Sequence, residues 1–207
     1  MKVFITGCAK SGTTLLRRLF YAFGGVDVIP DEISLGEFLG KQTEKGILVG
    51  KRQYGDIFSA TLADATLLRA VSLLLNNPQI KIINIYRDGR DVVESGIKPA
   101  RWIASIKQML SYGSLISANV RYEDLVKSPD DVQPIIARAL ILESKFGFSE
   151  YPKFFKSDHV SGQKKYSPRP ISTDRIGKDL ELYKQRVTSE AEKRTFENLL
   201  RTLAYEN

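Results

Sequence analysis

Residues 7–16 read Gly-Cys-Ala-Lys-Ser-Gly-Thr-Thr-Leu-Leu and follow the apolar run Val-Phe-Ile-Thr at 3–6. A buried strand, a turn bounded by Gly7 and Gly12 and a helix opening on Thr13 and Thr14 make a phosphate cradle. The first N–H groups of the helix and the positive end of its dipole both face the ligand. In the nucleotide-triphosphatase form, G-x-x-x-x-G-K-[ST], a lysine directly follows the second glycine. Here Thr13 takes that place and the loop's lysine, Lys10, stands inside the loop. A P-loop small-molecule kinase, one alternative reading, would be expected to place lysine at 13 and to end a strand in aspartate for Mg²⁺, whereas Lys10, Ser11, Gly12, Thr13 and Thr14 read as a different kind of anion loop.

Three further segments carry matching chemistry. In Ile-Tyr-Arg-Asp-Gly-Arg-Asp-Val-Val-Glu-Ser-Gly (85–96) an apolar strand delivers Arg87 at its C-terminal end, where ligands bind in open α/β sheets. Ser95 lies eight residues on, about two helical turns, and shares a face with the strand end. An arginine in Arg-Asp-Gly-Arg-Asp also has a plainer use, pairing with carboxylates of the adjacent helix. Tyr122 sits in Arg-Tyr-Glu-Asp-Leu (121–125), another strand end before an acidic helix start, and Arg175, Gly177 and Lys178 form a basic turn in Ser-Thr-Asp-Arg-Ile-Gly-Lys (172–178). Two anion sites and an aromatic suit a nucleotide with phosphates at both ends of its ribose.

Elements must bring these segments together. Apolar β-rich runs at 2–6, 46–50, 81–86 and 117–122, with a shorter one at 26–29, alternate with helical patterns at 13–23, 59–76, 88–96, 100–111 and 130–146. That alternation predicts a three-layer α-β-α fold around a mainly parallel sheet. Helix 13–23 is expected to bury Leu15, Leu16, Leu19, Phe20 and Phe23 and to expose Arg17 and Arg18. The stretch 153–176 is rich in Lys, Ser, Pro and Gly without periodicity and reads as a long loop or lid. Helices near 177–186 and 189–204 close the chain.

With 207 residues, 43% hydrophobic and 27% charged, one domain spanning 1–207 is expected. The lone cysteine, Cys8, excludes an intramolecular disulfide framework and reads as a small buried residue; no leader pattern precedes the first strand, so a cytoplasmic location is expected. No apolar run approaches the roughly 20 residues of a membrane span. The net charge of +7 is concentrated in phosphate-type turns and lacks the interleaved aromatic and basic pattern of single-strand platforms, which favours a small polyanion over nucleic acid. A non-catalytic nucleotide-binding module is the alternative to an enzyme.

From residue 3 to about 185 the chain resembles the sulfotransferase family, which uses 3′-phosphoadenosine-5′-phosphosulfate and has a P-loop nucleotide-hydrolase-like fold. The resemblance implies that Lys10, Ser11, Gly12, Thr13 and Thr14 form the 5′-phosphosulfate loop. It likewise implies that Arg87 and Ser95 hold the 3′-phosphate, that Tyr122 contacts adenine and that Arg175, Gly177 and Lys178 close over the 3′-phosphate. It implies no metal, adenosine 3′,5′-bisphosphate as product, and a small-molecule or carbohydrate acceptor. Two positions depart from the cytosolic members: Leu15 replaces an adenine-stacking tryptophan, and Lys51-Arg52-Gln53 stands where K-x-H supplies a catalytic histidine.

Sulfuryl transfer needs a base for the acceptor proton and cations for the charge that develops on leaving. Lys10 serves the leaving side and Lys51 adds charge opposite. Carbohydrate sulfotransferases have a catalytic glutamate at a distance after the phosphosulfate loop that resembles Glu37, 27 residues past Lys10 and just before Phe38. Glu37 is the expected base, with Glu32 the alternative. His159, the sole histidine, is expected on the surface, Trp102 in the core or pocket wall, and Lys164-Lys165 at a solvated lid edge.

Overall fold

Along the N-terminal strand, Phe4 packs into one cluster of buried side chains and Val3 and Ile5 into another. A strand buried on both sides belongs in the interior of a parallel sheet. The structure, a computed structural model, describes residues 1–52, 75–155, 171–177 and 181–205. Among them β1 (Lys2–Thr6), β2 (Val26–Glu32), β3 (Ile47–Lys51), β4 (Ile80–Tyr86) and β5 (Ile116–Arg121) form one sheet of order β2-β3-β1-β4-β5. Every pairing in it is parallel. The crossover beside β1 opens a crevice at the carboxyl ends of β1 and its neighbours, the place where such sheets bind ligands.

In chain order the described helices are α1 (Thr13–Leu19), α2 (Leu35–Gly40), α3 (Gly89–Glu94), α4 (Pro99–Ser111), α5 (Tyr122–Lys127), α6 (Pro129–Leu140), α7 (Tyr151–Phe154), α8 (Leu182–Arg186) and α9 (Glu190–Thr202). Leu16 and Leu19 of α1, Leu125 of α5 and Ile136 of α6 cover the sheet face that carries Val3, Ile5, Val49 and Ile83. Phe38 of α2, Trp102 and Ile106 of α4 and Phe196 of α9 cover the face that carries Phe4, Leu48 and Ile82. The result is three layers, α/β/α. Burial of apolar area at roughly 25 cal/mol per Å² drives this assembly.

The structure departs from the sequence pattern in several places. Strand 26–29 continues to Glu32. The helix expected to 146 stops at Leu140, because Ile141 turns to φ 55 and Leu142 N–H bonds back to the Ala137 carbonyl at 2.9 Å. Helices α2, α5 and α7, six, six and four residues long, are too short to show a helical period. The last two helices begin at Leu182 and Glu190. Most of helix 59–76 and of the 153–176 segment lies outside the described residues, as do Gln53, His159, Lys164, Lys165 and Lys178.

Arg17 corrects the amphipathic reading of the first helix: it is fully buried. Its guanidinium donates to the carbonyls of Ile29, at 2.9 Å, and Pro30. The physical reason is a register shift between Val28 and Glu32 on β2. The shift takes those carbonyls out of the ladder with β3, and a buried carbonyl needs a donor. A charged donor from α1 supplies it and anchors the end of β2 to the helix that follows the Gly7–Gly12 loop.

Candidate active site

The loop after β1 keeps its path by close approach. A Cβ on Gly7 would lie 2.1 Å from the Ile85 carbonyl oxygen, and one on Gly12, at φ 95, would lie 2.5 Å from the Tyr122 ring. Only glycine meets both demands. Lys10, between them, holds φ 66, a conformation that a non-glycine residue adopts at a cost of order 1–3 kcal/mol and that concentrates at functional sites. Helix α1 opens at Gly12 without a side-chain cap, so its first N–H groups are left for a ligand. Ser11 is fully buried and, among the described residues, its hydroxyl has no hydrogen-bond partner. Thr13 is buried and Thr14 half-buried at the same helix start.

One strand away, Arg87 leaves the end of β4 with 3% exposure. Its guanidinium donates to the Lys10 carbonyl at 3.1 Å and to the Arg175 carbonyl, and lies 4.7 Å over the Tyr122 ring. Its Nη2 stands 3.4 Å from the Asp91 carboxylate one helical turn on. Arg87 therefore makes the plain ion pair with its own helix and also joins the two loops that flank the crevice. Gly177 N–H donates to Asp91 at 2.9 Å, and Gly177 holds φ 67. Burial pushes the Asp91 carboxyl upward against the opposing pull of Arg87. Ser95 caps the C-terminal end of α3 with its N–H on the Asp91 carbonyl. Being i+4 from Asp91, it shares that residue's helix face. Arg175 keeps its side chain exposed and enters the site through its backbone. Tyr122 is buried against Gly12 and Arg87.

Behind Arg87 runs a ring of contacts that sequence inspection missed. Asp88 N–H donates to Glu123 at 3.0 Å, the Tyr205 hydroxyl donates to the other Glu123 oxygen at 2.9 Å, and Arg90 bridges the Asp88 carboxylate and the Tyr205 carbonyl. Burial pushes the Glu123 carboxyl upward. Trp102 Nε1–H donates to the Arg87 carbonyl at 3.1 Å. The backbone that presents Arg87 is thus pinned from three elements. Asp91 had one visible signal, its position four residues after Arg87; Glu123 and Tyr205 are 82 residues apart and had none.

The base candidates separate in space. Glu37 is exposed and completes a capping box: its carboxylate accepts from the Ser34 hydroxyl at 2.7 Å and the Ser34 N–H at 3.1 Å. The Ser34 hydroxyl, then the Ser34 backbone, holds the Glu37 carboxyl below its ordinary value. The neighbouring Phe38 turns inward onto Phe4 and Gly50. Glu32 ends β2 in register with Lys51, which ends β3, and accepts from Lys51 Nζ at 2.7 Å. Lys51 is 5% exposed while Glu32 is partly open. Lys51 in turn lies in register with Ile5, two residues before Gly7. Cys8 is buried in the loop, and desolvation pushes its thiol up to about 11. No described group of His, Cys, Asp and Glu is arranged to hold a metal ion, and no described helix is long and apolar enough to cross a membrane.

This architecture is the fold of sulfotransferase domains. The chain superposes on the "Sulfotransferase Domain from the Synechococcus PCC 7002 Olefin Synthase" with a TM-score of 0.69, covering 100% of this chain and 96% of that one at 17% identity. It superposes on the "Sulfotransferase Domain from the Curacin Biosynthetic Pathway" with a TM-score of 0.65, covering 99% and 97% at 17% identity. No family model and no curated protein matches the sequence.

Proposed function

We propose that the chain is a sulfotransferase, one domain over 1–207, which uses 3′-phosphoadenosine-5′-phosphosulfate to sulfate a hydroxyl or amine of a small-molecule or carbohydrate acceptor. The observation that carries this reading is the pairing of two anion-binding elements on adjacent strand ends. The uncapped Gly7–Thr14 loop and buried Arg87 are tied together through the Lys10 carbonyl. The described residues fit such a donor, since among them the buried Ser11 hydroxyl has no hydrogen-bond partner and no side chain caps the start of α1. The fold shared with sulfotransferase domains supports the same reading.

In this assignment the donor supplies an activated sulfuryl group, and the chain supplies position and charge. Lys10, Ser11, Gly12, Thr13 and Thr14 hold the 5′ end in a P-loop-like cradle. Lys10 offsets the negative charge that grows on the leaving phosphate. Arg87, Ser95, Arg175 and Gly177, with Lys178 beyond the described residues, serve the 3′-phosphate. Tyr122, packed under the Arg87 guanidinium, contacts adenine. For the acceptor proton we favour Glu32 over Glu37, because Glu32 ends its strand and is oriented by the Lys51 ammonium, whereas the Glu37 carboxylate is engaged in capping α2.

Titration calorimetry tests the donor site. Adenosine 3′,5′-bisphosphate should bind at least about tenfold more tightly than 5′-AMP, only about 1.4 kcal/mol for a set of charge-assisted contacts. Equal affinities would remove the reading, and tighter binding of ATP than of the bisphosphate would point to a kinase.

A further inference from the structure

Asp91 has 1% exposure, and its two carboxylate oxygens face different partners. Oδ1 accepts the Gly177 N–H at 2.9 Å, across 86 residues of sequence, while Oδ2 stands 3.4 Å from Arg87 Nη2. Arg87 in turn donates to the Arg175 carbonyl, two residues before Gly177. Arg87, Asp91 and the turn at 175–177 therefore form a closed triangle: strand end to helix, helix to turn, turn back to strand end. Each leg engages at least one of the two buried charged side chains, Arg87 and Asp91, and is charge-assisted, the kind of contact that fixes geometry as well as adding energy. Gly177 N–H is committed to a carboxylate, so one of the turn's two holds on the site runs through α3, the other being Arg87 on the Arg175 carbonyl.

We propose that Asp91 is the positioning residue of the 3′-phosphate pocket, setting the 175–177 turn in register with Arg87 so that both meet the ligand as one preformed unit. The inference rests on the sulfotransferase reading above and adds to it the residue that makes two distant basic elements act together. The carboxylate is an anion beside an anion site, which opposes binding. Its net effect is favourable only if the order it imposes outweighs that repulsion, and the sign of the effect in variants decides the matter. A carboxylate that merely neutralised Arg87 would weaken phosphate binding, and its removal would strengthen it.

The test uses calorimetry with adenosine 3′,5′-bisphosphate and 5′-AMP on the full chain. Asp91→Ala should lower the bisphosphate to 5′-AMP affinity ratio by about tenfold, as expected for loss of a charge-assisted hold on a turn, with 5′-AMP affinity unchanged. Asp91→Asn keeps an acceptor for Gly177 N–H and should retain more of the ratio. A ratio that is unchanged or higher in Asp91→Ala overturns the proposal, as does a parallel loss of both affinities. If Asp91→Ala does not fold, amide exchange in the wild-type protein decides. The Gly177 amide should be protected without ligand and further slowed by the bisphosphate, and free exchange would overturn the proposal. A wild-type protein that fails to distinguish the two nucleotides removes the sulfotransferase reading itself; intact wild-type selectivity that persists in Asp91→Ala removes only the role of Asp91.

Discussion

Arg87→Met separates the energetics of the strand-end arginine from its binding role. Arg87 and Asp91 are 3% and 1% exposed and face each other at 3.4 Å. Removing the cation leaves the carboxylate buried without its counter-charge, a change that costs about 3–5 kcal/mol. The Lys10 and Arg175 carbonyls lose a charged donor in the same step, and these losses overlap because they share one side chain. For a chain of this size each kcal/mol moves the melting temperature about 2–4 °C. A fall of about 10 °C in thermal unfolding is therefore expected. Combining Arg87→Met with Asp91→Asn removes the orphaned charge and keeps an acceptor for Gly177 N–H, so most of the melting temperature should return. Preference for adenosine 3′,5′-bisphosphate over 5′-AMP should disappear in the single and the combined variant alike. A single variant that melts within about 2 °C of wild type and keeps its nucleotide preference would refute the reasoning. A combined variant as unstable as the single one would show that Asp91 is not the uncompensated charge.

With a screened acceptor in hand, Glu32→Gln should lower turnover by about 10²–10⁴, typical of general-base loss, with bisphosphate affinity retained; the same collapse in Glu37→Gln alone would transfer the role to Glu37. Gly12→Ala forces a Cβ to within 2.5 Å of the Tyr122 ring at φ 95. It should cost about 1–3 kcal/mol in urea unfolding and weaken bisphosphate binding; a neutral result would mean that the loop and ring part freely. Cys8, with its thiol raised from 9.0 to about 11, has about a hundredfold less thiolate at pH 8 than the same group unfolded. Alkylation of the native protein should be slower by at least that factor, and equal rates before and after denaturation would contradict its burial.

The turn between Gly7 and Gly12 was legible because its requirements are local. Two glycines at fixed spacing, a lysine inside the loop and threonines at the helix start act through backbone geometry within eight residues, and Gly7, Lys10 and Gly12 take the left-handed or closely approached conformations that such a loop needs. The strand pattern was legible for the same reason: a buried parallel strand writes its burial into a continuous apolar run. Arg87 and Asp91, four residues apart, lay within reach of inspection.

What sequence could not disclose is which distant groups meet. The burial of Arg17 follows from a register shift on β2, where two carbonyls left the ladder and needed a donor from α1. Glu32 and Glu37 have similar chemistry and lie five residues apart, yet one faces Lys51 across the sheet and the other caps a short helix, because strand register and a Ser34 turn send them to different places. The Glu123–Tyr205 and Asp91–Gly177 bonds, spanning 82 and 86 residues, exist only once the sheet order is set. Residue types and short spacings determined the glycine-bounded loop, the strand-end arginine and the layers that carry them. Tertiary structure decided which side chains are buried, which charges are paired and which loop is tied to which strand end, since burial and pairing are properties of surfaces that the chain acquires only by folding.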